Sequence, residues 1–95
     1  MKKTFPLHAT GQADARVRDK IRQEVNKYVR RERQKKLPDG FDLWTFNCKV
    51  GVSRDAALTK PLKEIGGAVE VVAQAGAAEV YIEILAVPGL RKLPG

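Results

Sequence analysis

A chain of 95 residues, 43% hydrophobic and 31% charged, has room for one small domain over 1–95 and for no second one. Its apolar runs fall far short of the ~20 residues that cross a bilayer, and no apolar stretch follows Met1-Lys2-Lys3, so neither a membrane span nor a signal peptide is expected and a cytoplasmic setting is the simplest reading. A net charge of +7 and a pI near 9.9 favour acidic partners: RNA or another polyanion, or an acidic protein.

The first element is a short strand over 3–8, in which Phe5 and Leu7 alternate with Thr4, Pro6 and His8. Pro6 has no N–H to give a ladder, so this strand should lie at a sheet edge or carry an irregularity. Gly11 marks the turn, and Asp14 stands where an N-cap belongs. A long helix over 14–36 follows, with Val17, Ile21, Val25, Tyr28 and Val29 recurring at helical spacing to form one apolar stripe. This stretch carries ten of the 18 basic residues against four acids, which is +6 of the chain's +7. Leu37-Pro38-Asp39-Gly40 stops it, since proline disfavours a helical residue before it and Asp-Gly is turn chemistry.

A strand over 41–50 turns Trp44, Phe46, Cys48 and Val50 to the core and Leu43, Thr45, Asn47 and Lys49 away. Residues 51–59 read as a loop, with one helical turn after Ser53. A second helix over 60–75 rests on Leu62, Ile65, Val69 and Val72, with Pro61 at its start. Gly66-Gly67 weakens it, and Gly76 ends it as a C′ residue. The last strand, 79–87, buries Val80, Ile82, Ile84 and Ala86 and turns Tyr81, Glu83 and Leu85 outward. Pro88-Gly89 closes it, and 90–95 reads as a frayed basic tail.

The order is β-α-β-α-β, an α+β chain. All three strands alternate, whereas strands covered on both faces are continuously apolar. The expectation is a two-layer domain: a three-stranded sheet, both helices on one face, the other face open. Whether the strands are all parallel is left undetermined by the pattern.

Several blocks carry a resemblance. Met1-Lys2-Lys3-Thr4-Phe5, Arg30-Arg31-Glu32-Arg33, Leu37-Pro38-Asp39-Gly40 leading into Trp44-Thr45-Phe46-Asn47-Cys48, and Tyr81-Ile82-Glu83-Ile84-Leu85-Ala86-Val87-Pro88-Gly89 resemble, in that order and over nearly the whole chain, a family of short bacterial proteins of unknown function. The resemblance implies a bacterial single-domain protein and supplies no activity. In that family acidic residues often stand where this chain has Thr45 and Asn47. A carboxylate pair on this strand is therefore absent here, which speaks against a metal or acid–base role for it.

The residues themselves name no catalytic group, metal or cofactor. His8 is the sole histidine and Cys48 the sole cysteine, so paired ligands of either type cannot be built within one chain. His8 reads as an exposed polar residue and Cys48 as a small core hydrophobe. Two surfaces remain. Arg16, Lys20, Lys27 and Arg31 fall on one line of the long helix, continued by Arg30, Arg33, Lys35 and Lys36 at its end; such a line can follow phosphates without reading sequence. The open sheet face offers Thr45, Asn47, Lys49, Tyr81 and Leu85, where Tyr81 could stack a base and Glu83 would repel phosphate. The first function expected is an RNA-associated accessory protein. The alternative, from another class, is an interaction module or homodimer whose basic helix docks an acidic partner.

Overall fold

The computed structural model describes residues 1–91: β1 (Lys2–Pro6), α1 (Asp14–Arg33), β2 (Leu43–Gly51), β3 (Leu58–Lys60), α2 (Ile65–Gln74) and β4 (Glu79–Gly89). The strands form one sheet in the order β1-β4-β2-β3 with every neighbouring pair antiparallel. The sheet therefore has four strands, not three, and the direction left undetermined by the alternation is antiparallel throughout. β1 and β2 run the same way with β4 between them, and β3 and β4 run the same way with β2 between them. Each helix thus joins two strands that do not touch.

The added strand is β3. Three residues are too few to display a period, and Ser53 and Asp55 give the stretch before it a loop's composition. Its ladder comes from β2, with Cys48 opposite Lys60, Lys49 opposite Thr59 and Val50 opposite Leu58. This also shortens the second helix. Pro61 is extended, at φ −60° and ψ 148°, and precedes a single 3₁₀ turn (Leu62–Glu64), so regular α-helix begins at Ile65. Gly76, at φ +84°, ends α2 as expected. Its N–H donates to Ala73 O and that of Ala77 to Val72 O, the paired bonds of a Schellman end.

Two boundaries of α1 also differ from expectation. The N-cap is Ala13, with no side-chain cap, and Asp14 is the first helical residue. Its carboxylate still lies at the positive end of the helix dipole, where Oδ1 meets His8 Nδ1 at 2.9 Å. At the other end Gln34 is the C-cap, so Lys35 and Lys36 lie past the helix. The turn behind them closes as Phe41 N–H donates to Pro38 O, with Gly40 at φ +89°. β2 consequently starts at Leu43.

One core joins both layers. Phe5 and Leu7 enter it from the N-terminal segment, Val17, Ile21, Val25 and Val29 from α1, Ile65 and Val69 from α2, and Cys48, Val50, Val80, Ile82 and Ile84 from the sheet. Both helices therefore lie on one face. Pro6 sits on the edge strand β1, opposite Glu79. Of the tail read over 90–95, residues 92–95 lie outside the described residues; Leu90 is exposed, and the Arg91 N–H donates to Asp42 Oδ1 at 2.8 Å.

Candidate nucleic-acid interface

α1 presents its charge unevenly because its acids are all engaged. Asp14 meets His8, Asp19 binds Arg22 Nη2 at 2.6 Å, Glu24 binds Lys3 Nζ at 2.9 Å, and Glu32 is paired with Lys35. The ion pair with Lys35 holds the Glu32 carboxyl below the usual carboxylate range. On the flank towards α2, Arg18 Nε and Arg22 Nη1 both donate to Glu70 Oε1, at 3.0 and 3.2 Å. These cations tie the two helices together and are spent in the fold.

The line read from the sequence stands apart from them. Arg16, Lys20, Lys27 and Arg31 are all exposed, and none is within salt-bridge distance of a carboxylate among the described residues. Lys20 Nζ reaches only the neutral Gln12 Oε1, at 3.2 Å, and the Arg31 guanidinium lies 5.8 Å from the centre of the Tyr28 ring. At 1.5 Å per residue the line is about 22 Å long. The cluster at the helix end divides. Arg30 and Lys36 are exposed with no acidic partner among the described residues, Lys35 is held by Glu32, and the Arg33 guanidinium stands 5.4 Å from the centre of the Phe46 ring.

The open sheet face is less available than its residue types suggested. Thr45, Asn47 and Lys49 of β2 are exposed, and so is Leu85 of β4. Tyr81, however, is only 5% exposed, and its hydroxyl donates to Glu83 Oε1 at 2.8 Å. It lies between Thr4 and Gly51 of the neighbouring strands, and Arg54 is close enough to act on it electrostatically. A base cannot stack on a ring so covered. Thr45 also has its hydroxyl committed, to Val87 O at 2.9 Å.

Both phenols are pushed above their ordinary value of 10.0, first by burial and then by a hydrogen bond to a carboxylate, Glu32 for Tyr28 and Glu83 for Tyr81. The fold favours the neutral phenol. Its contribution to stability is therefore fully present below the unfolded value and lost as pH rises through the raised folded values. In an ultraviolet difference titration both tyrosines should ionise later in the native protein than in urea. Coincident native and unfolded curves would contradict this placement.

Two residues missed as site candidates are aromatic. Trp44 and Phe46 share a face with the buried Cys48 and Val50, yet both are only half-buried. They lie under the last turn of α1, where Trp44 Nε1 donates to Lys35 O at 2.9 Å and Phe46 meets Arg33. The signal was the short turn 37–42. It obliges the first residues of the following strand to lie beneath the cations that end the helix.

Cys48 is 2% exposed, and burial pushes its thiol up, away from the thiolate a nucleophile needs. His8 is exposed and paired with Asp14. A cleft of about 310 Å³ between α1 and α2 is lined by apolar side chains with Arg22, Arg33 and Lys63 at its rim. A second, also about 310 Å³, lies between α2 and β3 beside Val52, Leu58 and Val71. Neither is lined by histidine, cysteine or a carboxylate. No group of three potential metal ligands occurs among the described residues, and no helix there is long and apolar enough to cross a membrane.

No curated protein and no solved structure matches the chain. The model of a family of unknown function (DUF6172), however, matches residues 1–93, nearly the whole chain, and the chain therefore belongs to that family.

Proposed function

We propose that the chain is an RNA-associated accessory protein that holds single-stranded RNA by its phosphates along the outer line of α1. One observation carries the reading: all four acids of α1 have partners, while Arg16, Lys20, Lys27 and Arg31 have no carboxylate among the described residues. An arginine or lysine without a carboxylate keeps its full charge for a phosphate, and phosphate contacts give affinity without base selectivity. The basic helix is followed by a strand rather than by a second helix set for a major groove, which favours backbone tracking over duplex sequence readout.

The test is the salt dependence of binding. Four phosphate contacts at about −0.7 each give a slope of log K against log salt of ~−2.8 on single-stranded RNA. Changing Arg16, Lys20, Lys27 and Arg31 together to glutamine should leave the fold intact and make the slope shallower by about 2.8, with equal losses on unrelated RNA sequences. An unchanged slope in the quadruple variant would remove the line as the site.

A second reading, self-association, is favoured by one observation. Leu58 is 65% and Val71 66% exposed at the cleft between α2 and β3, and the charges of residues 51–78 cancel, so this segment adds no net charge of its own against a second copy. No binding of RNA by the unaltered chain at low salt would leave this reading standing.

A further inference from the structure

Resting on the phosphate reading above, we propose that Trp44 and Phe46, beneath the end of α1, form the platform on which bases of the bound single strand stack. The strip is made by an arrest of packing. Cys48 and Val50, on the same face of β2, are buried, but at Trp44 and Phe46 the layer above thins to the last turn of α1, and both rings stay half open. Across the ladder their partners on β4 are Pro88 and Ala86. These carry no charge, and alanine has little bulk to stand over a ring.

The rings are held rather than loose. The indole N–H of Trp44 is fixed on Lys35 O at 2.9 Å, which sets the plane of the ring system. The Arg33 guanidinium lies 5.4 Å from the centre of the Phe46 ring, a cation–π distance that keeps a planar, charged group over the strip. Bases stack on tryptophan and on guanidinium planes alike. Arg30 and Lys36 flank the strip with exposed charges and no acidic partner among the described residues. Phe41, in the turn that leads in, is 43% exposed. Of the nearby carboxylates, Glu32 is paired with Lys35, while Asp42, which accepts the Arg91 backbone N–H, and Asp39 in the turn keep their charge at the entry to the strip. Cations alternating with aromatic faces are the arrangement by which single strands are held without sequence preference: charge for the backbone, π faces for the bases. The strand would run along α1, pass Arg31 and Arg30, and lay its bases beside Trp44.

Trp44 is the chain's sole tryptophan, so its emission reports the strip directly. The full chain is titrated at low salt with oligouridine and oligoadenosine carrying a fluorescent end label. Label anisotropy gives binding, and tryptophan emission gives contact. Both oligonucleotides should bind and quench Trp44. Inorganic polyphosphate of similar charge should compete for α1 but leave the emission unchanged, because it has no bases. Trp44→Leu should weaken binding roughly five- to a hundredfold, the range for losing one stacked base, with the salt slope unaltered. Trp44→Phe should stay within a few-fold of the unaltered chain. Binding by anisotropy without quenching, equal quenching by polyphosphate, or an unchanged affinity in a folded Trp44→Leu would each overturn the platform and leave the phosphate line in place. No anisotropy change at all would end both. If Trp44→Leu does not fold, the quenching comparison in the unaltered chain still decides.

Discussion

Ile82→Ala is expected to lower stability by about 2–5 kcal/mol, the range for removing a large aliphatic side chain from a closed core. Ile82 is 0% exposed on the interior strand β4, with Lys3 of β1 and Val50 of β2 on either side. Neighbours held by two ladders cannot collapse into the space left, so the loss should lie towards the upper end. A domain of this size has only about 5–15 kcal/mol in total, so the variant should unfold at a much lower urea concentration. Leu85→Ala is the control. Leu85 lies three residues along β4 on the opposite face and is 40% exposed, and its loss should cost under about 1 kcal/mol. Equal shifts in the two urea midpoints would mean that the covered and open faces of β4 have been exchanged.

Gly51→Ala is the second large effect expected. Gly51 has ordinary negative-φ backbone, so its requirement is space rather than conformation. A Cβ there would stand 2.7 Å from Ala57 Cα and 2.8 Å from Ala56 O. Both atoms belong to the main chain of the β2–β3 connection, which cannot swing aside as a side chain can. Overpacking of this kind costs about 1–3 kcal/mol and at times more, and here it strikes the ladder that holds β3 to β2. Urea unfolding should show the loss, and amide exchange at Leu58–Lys60 should accelerate more than at β4. Gly67→Ala provides the contrast, since its added methyl meets nothing within 4 Å inside a helix. That change should stabilise by about 0.5–1 kcal/mol. A Gly51→Ala variant as stable as the parent would show that the connection rearranges freely.

The parts of this fold legible in the sequence are those with a long period. The stripe of Val17, Ile21, Val25 and Val29 and the inward set Val80, Ile82 and Ile84 each fix which side of an element is buried, and the structure agrees at these seven residues. β3 was illegible because three residues show no period, and strand direction because the alternation of a half-covered strand is the same whichever way its neighbour runs. Parity also failed twice, for different reasons. It placed Tyr81 on the open side without knowing that a residue there could still be covered, and it placed Trp44 and Phe46 on the covered side without knowing how far the cover extends. The cation line was visible as spacing. Which cations were already neutralised was not, because Lys3–Glu24 and Arg18–Glu70 join residues that only the fold brings together.

The two borders of the sheet share a property. β1 contains Pro6, and β3 is three residues long and followed at once by Pro61. A strand approaching either border from outside would meet a missing donor in one case and a ladder too short to hold it in the other. Lys2, Lys3 and Lys60 add charge that an incoming strand would have to desolvate. Both margins of the sheet are therefore blunted against pairing through the backbone. Extension of the sheet by a further strand is thus disfavoured at both margins, and the side-chain surfaces are left as the easier ground for contact.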